Sequence, residues 1–161
     1  MRITAAELAS LQAPSSPPST RLLELAPGEL LAIFVRGKLM NPLNQSAWIW
    51  QKRKRYVDGW KDRVAKGLWL YGRLRFARLP AGPKRISFLA LTANTMDDDG
   101  LAAALKPVRD ELVVCGVIAG DAPKDGNVFT YAQRIDRKAR GVEIRVAPLG
   151  PSLGAPARPP R

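Results

Sequence analysis

The sequence predicts a mixed α/β (α+β) domain in which a small mixed β-sheet packs with two main helices. Three observations lead there. Short apolar, β-branched runs at "ELLAIFVRG" (29–37), "KRISFLALTA" (84–93), "NVFTYAQRI" (127–135) and "GVEIRVAP" (141–148) have the length and composition of strands. Two stretches between them carry the 3.6-residue apolar period of helices. The resulting order is strand, helix, strand, helix, strand, strand, which suits helices laid on one sheet.

With 161 residues there is room for one domain and a modest core. Residues 1–27 hold a short helix-like segment, "TAAELASL", and then "QAPSSPPST", whose Pro/Ser content reads as an extension or linker. The first strand ends at Gly37. "KLMNPLNQS" (38–46) follows as a loop, since Asn41-Pro42 favours a turn. From about Ala47 to Tyr71 a long helix is expected, with Trp60, Val64, Leu68 and Tyr71 on one face. The turn "PAGP" leads into the second strand. In the second helix Leu101, Leu105, Val108 and Leu112 fall within about 60° of each other and form the buried stripe. Pro107 lies inside that helix, where it removes a backbone hydrogen bond and favours a kink. The last two strands are joined by the basic turn "DRKAR". The folded unit therefore spans about residues 28–148, and 149–161 form a Pro/Gly-rich basic tail expected to be disordered.

Composition narrows the chemistry. The chain has no histidine and one cysteine, Cys115, inside the apolar run "LVVCGVI". That excludes Cys/His zinc sites, Ser-His-Asp triads, Cys-His nucleophiles and disulfide scaffolds, and leaves Cys115 as a small core residue. No apolar run approaches the ~20 residues needed to span a bilayer, and no signal-peptide pattern is seen, so a cytoplasmic protein without membrane attachment is expected. The net charge of +12 and pI of 10.6 favour an acidic partner, nucleic acid above all.

The charges are segregated. Between Gln51 and Arg85 stand twelve Lys/Arg against only Asp58 and Asp62, whereas seven of the fourteen acids lie between Asp97 and Asp125. In "WIWQKRKRY" (48–56), Lys52, Arg53, Lys54 and Arg55 would spread around a helix, so at least two would reach any phosphate backbone laid against it. The tryptophans are expected in the core, the alternative being that Trp48 or Trp50 stacks on an unpaired base.

"TMDDDGLAAALKPVRDEL" (95–112) concentrates the acids. One aspartate serves as the helix N-cap. Asp99, Lys106 and Asp110 share a polar face within about 40°, with the Lys106–Asp110 neighbourhood the firmer part. The spacing faintly suggests an EF-hand loop, but its twelfth position is Lys106 where a bidentate Glu is needed. Asp121 and Asp125 follow in a Gly/Pro loop that could return Asp121 beside Asp97 and Asp99. Clustered carboxylates repel, and a divalent cation between them removes that cost. Beside a phosphate-binding stripe, the matching chemistry is metal-assisted phosphodiester hydrolysis.

The run from Asp97 to Val146 resembles the RusA-like endodeoxyribonucleases, Holliday-junction resolvases of phages and prophages. It has an Asp-x-Asp pair, a helix with Lys and Asp four apart, an acidic loop after Gly, a strand ending in Gln, and a final "GVEI" strand. Upstream, "VRGKLMNPLN" and "RKRYVDGWKDRV" extend the resemblance to about residues 30–147. It implies a homodimer that nicks branched DNA, such as a four-way junction, with Mg²⁺ or Mn²⁺. By position it implies Asp97, Asp99 and Asp121 as metal carboxylates, with Asp98 and Asp125 as substitutes or supplements. Lys106 would stand near the scissile phosphate and Asn44 in a DNA-contacting loop. Gly100 replaces an Asn of the familiar pattern, and Met96 a basic residue. The alternative reading is a catalytically silent nucleic-acid-binding protein that keeps the basic surface.

Overall fold

The computed structural model of the chain describes residues 20–42, 50–75 and 79–150. In order these form β1 (Thr20–Leu22), β2 (Leu31–Arg36), α1 (Trp50–Arg75), β3 (Lys84–Thr92), α2 (Asp98–Val114), a 3₁₀ turn (Pro123–Asp125), β4 (Val128–Ile135) and β5 (Gly141–Pro148). The architecture is mixed α+β: a five-stranded sheet in the order β1-β2-β5-β3-β4 with two helices. Strands β3 and β4 are parallel, and every other pairing is antiparallel.

Alternation along the strands explains which face the helices cover. Leu31, Ile33 and Val35 of β2, Ile86, Phe88 and Ala90 of β3, and Val142, Ile144 and Val146 of β5 point one way. They merge with Trp60, Val64 and Leu68 of α1 and with Leu101, Leu105, Val108 and Leu112 of α2 into one buried cluster. The helix faces expected from periodicity are thus the faces that pack. Residues of the opposite row, such as Ser87, Leu89, Glu143 and Arg145, stay half-exposed.

One feature departs from the sequence reading, and a second lies beyond what that reading specified. Thr20–Leu22, placed within the extension, pairs antiparallel with Ile33–Val35 as the edge strand β1. Close packing on α1 holds it there: the Thr20 hydroxyl donates to the Arg63 carbonyl at 3.3 Å, and a side chain at Gly67 would collide with Thr20. The basic turn after β4 is also not a hairpin. It steps over the end of β3, so that β5 inserts between β2 and β3. Two strand spacings, about 9.6 Å, lie well within the reach of the link 136–140. The Asp136 amide fastens the link by donating to the Thr92 carbonyl at 2.8 Å, and Asp136 in turn accepts from the amides of Lys138 and Ala139.

Helix α2 starts at Asp98, two residues before Gly100. Asp97 is its N-cap, accepting from the Gly100 amide at 3.0 Å, and Asp98 and Asp99 occupy a first turn that favours negative charge. Pro107 is buried within the helix, which continues to Val114. Among the described residues no helix is long and apolar enough to cross a membrane.

Candidate nucleic-acid interface and acidic cluster

The basic half of α1 and the acidic start of α2 meet at the loop after β2. Tyr56 is the strut. Its hydroxyl donates to the Ala104 carbonyl of α2 at 3.1 Å and accepts from the Met40 amide at 3.4 Å. Burial raises the Tyr56 pKa, with the Met40 hydrogen bond offsetting it only in part, so the phenol keeps the proton it donates. The next loop residue, Asn41, donates from Nδ2 to Asp97 Oδ1 at 3.3 Å. Gly100 lies under this contact: a Cβ there would overlap both Asn41 Nδ2 and Asp97 Oδ1. The glycine that departs from the familiar pattern therefore makes room for the Asn41 bond.

Lys52, Arg53, Lys54 and Arg55 are all exposed on α1. Lys54 pairs with Asp58 across one helical turn at 2.5 Å, a solvent-exposed pair of small energetic weight. Lys52, Arg53 and Arg55 have no ion pair among the described residues, leaving three cations for an external anion. Lys52 and Arg55 flank a shallow groove of about 430 Å³ with Met40 and Tyr56. Trp50 is 68% exposed, against the expectation that the tryptophans pack in the core. The cause is its axial position: Trp60 already packs against Gly37, just past the end of β2, and Trp50 lies ten residues, about 15 Å, nearer the helix start, so the first turn overhangs that end of the sheet. Trp48 and Asn44 lie outside the described residues.

The acids do not converge as expected. Asp97 is engaged by the Gly100 amide and Asn41, while Asp98 and Asp99 are exposed with no partner among the described residues. Asp121 is held elsewhere. Its Oδ2 accepts from Arg109 at 3.0 Å and lies 3.7 Å from Lys106 Nζ, and Lys106 also donates to Asp110 at 3.0 Å. Lys106 is seven residues beyond Asp99, about 10 Å of helix rise. Asp121 therefore sits along the helix rather than at its start. Asp125 turns inward and accepts from the Ala122 amide at 3.1 Å, closing the 3₁₀ turn. Among the described residues no group of three His, Cys, Asp or Glu side chains is placed to hold a metal ion. Asp97, Asp99 and Asp121 do not fit one ion as a set in this arrangement, because Arg109 and Lys106 supply the positive charge that Asp121 would otherwise take from it.

Arg109 was not among the residues singled out from sequence. It donates to Asp121 and, at 2.8 Å, to the Tyr131 hydroxyl, while its guanidinium lies 5.1 Å from the Phe129 ring centroid. Burial works against its charge, but Tyr131 and Asp121 outweigh it and raise the pKa above the usual guanidinium range. Gln133, two residues before the end of β4, bonds the Met96 backbone through both ends of its amide and sets the approach to the N-cap. Compared with known proteins, the chain matches no family model and no curated protein.

Proposed function

We propose that the chain is a structure-selective endodeoxyribonuclease of the RusA-like kind, acting in the cytoplasm as a homodimer on branched DNA and requiring Mg²⁺ (or Mn²⁺). One observation carries this reading. Met40, Asn41 and Tyr56 join the free cations of α1 to the acidic start of α2, so two charge concentrations distant in sequence share one surface. DNA phosphate drawn to Lys52, Arg53 and Arg55 would lie near Asp99, whose carboxylate has no partner among the described residues, and near Asp97, which would have to offer a cation its other oxygen, since Oδ1 is held by Gly100 and Asn41. Lys106, between Asp110 and Asp121, is a positive group further along the same helix.

The test is a synthetic four-way junction incubated with and without Mg²⁺. Metal-dependent nicking by the wild-type chain is expected, with Asp99→Asn abolishing nicking while binding stays within about twofold. A second reading, a DNA-binding protein without catalysis, draws on the engagement of Asp97 and Asp121 by protein partners. Binding by the wild type with no metal-dependent nicking selects that reading, and no binding at all defeats both.

A further inference from the structure

The link that carries the chain from β4 to β5 over the end of β3 delivers Arg140 to a second cavity, beside Asn41. The cavity, about 170 Å³, has a partly apolar lining whose polar members are Lys38 and Asn41 of the loop after β2, Thr92 at the end of β3, Asn94 and Thr95 of the loop that follows, and Arg140 at the entrance to β5. It lies at the carboxyl ends of the parallel pair β3 and β4, where α/β sheets commonly receive ligands. Its lining holds two cations and no acid. Asp136, on the same link, spends its carboxylate on the Lys138 and Ala139 amides, and Asp97 is turned toward Gly100 and Asn41.

Two buried donors on this lining are unanswered. Thr92 is only 4% exposed, and its hydroxyl has no hydrogen-bond partner among the described residues. The Arg140 Nε–H is also buried without a partner, and the guanidinium makes no ion pair among the described residues. A buried donor left unmade is costly, and a buried arginine donor doubly so. A tetrahedral oxyanion has the acceptors that both donors lack and the charge that Lys38 and Arg140 favour. The volume sets its size, since sites that enclose whole organic ligands start at roughly 300 Å³. We propose that this cavity binds a single phosphate group, with Thr92 and Arg140 as its inner donors and Lys38 at its mouth.

The test is an NMR titration of the full chain with inorganic phosphate, following the amides of Thr92–Met96 and the Arg140 Nε–H. Saturable shifts of these resonances are expected. Arg140→Gln should weaken phosphate about tenfold and Thr92→Val several-fold. Thr92→Val should leave the phosphate-free protein at least as stable, because it removes an unpaired hydroxyl without changing shape. Two further arms identify the source of the phosphate. If it belongs to the DNA backbone, Arg140→Gln also weakens four-way-junction binding and phosphate competes with the junction. If it belongs to a free monoester, a nucleoside 5′-monophosphate binds and junction affinity is unchanged. Shifts that are not saturable, or that persist equally in Arg140→Gln, would mean an adventitious ion only and overturn the proposal. None of these readouts uses cleavage, so a failure of the nuclease reading leaves them interpretable.

Discussion

Replacing Arg109 with Met separates what holds Asp121 from what holds the sheet. The thioether chain keeps an apolar contact over Phe129 while removing the donors to Tyr131 and Asp121, 2.8 and 3.0 Å long. Hydrogen bonds to charged groups contribute about 1.5–3 kcal/mol when well shielded, and exposed ion pairs about 0–1 kcal/mol. Arg109 and Asp121 side chains are 21% and 31% exposed, between those limits. The estimate for the whole substitution is therefore about 2 kcal/mol of lost stability, a fall of roughly 5–10 °C in Tm for a domain of this size. The assay is urea or thermal unfolding of the wild type, Arg109→Met, Asp121→Asn and the double variant. A coupling energy of about 1 kcal/mol is expected from the cycle, because the two groups are in direct contact. A loss below about 0.5 kcal/mol with additive single effects would refute the claim that Arg109, rather than a cation, neutralises Asp121.

Gly100 and Cys115 supply independent checks. Helix propensity alone makes Gly100→Ala stabilising by up to ~1 kcal/mol, but a Cβ there meets Asn41 and Asp97. A net loss of about 1 kcal/mol in urea unfolding is expected from the weakened cap, and a gain would show that the Asn41–Asp97 contact gives way freely. Burial first, with Glu111 adding to it, pushes the Cys115 thiol up to about 11. At pH 8 it should alkylate roughly a hundredfold slower than an unfolded cysteine near 8.5, and a rate like that of the unfolded chain would contradict its packing. The sign for stability follows: the folded state keeps a proton that the unfolded state releases above ~8.5. The Cys115 contribution is complete below that pH and is lost as pH rises toward 11, so Cys115→Ala should flatten the alkaline limb.

What periodicity reveals and what it hides can be seen on the two helices. Leu101, Leu105, Val108 and Leu112 share an azimuth and are all buried, because all four face the core that the sheet and α1 share. Trp50 lies about 80° from Trp60 at 100° per residue, the same azimuth as buried Leu68. An azimuth cannot say that the first turn of α1 overhangs the sheet, and so Trp50 is in solvent. Hydrogen-bond partners across the fold are hidden in the same way. Lys106–Asp110 was legible because four residues make one helical turn. Which cation Asp121 meets depends on how the 3₁₀ turn folds the loop back onto α2, and Arg109 reaches it from the flank of the buried stripe.

Strand pairing is the least local of these properties, and it decides the sites. Each strand after β1 could be read within a residue or two of its bounds, yet nothing in "DRKAR" distinguishes a hairpin from a link that crosses β3. In a hairpin, β5 would lie outside β4, and Arg140 would have no reason to meet Thr92. Because β5 pairs instead with β2 and β3, Arg140 enters beside the end of β3, and its carbonyl takes the Gly37 amide at 3.2 Å. That one topological choice brings the loop after β2, the loop after β3 and the entrance to β5 to the same end of the sheet. The Asn41–Asp97 contact and the Thr92–Arg140 cavity are both consequences of it, and Asn41 belongs to each.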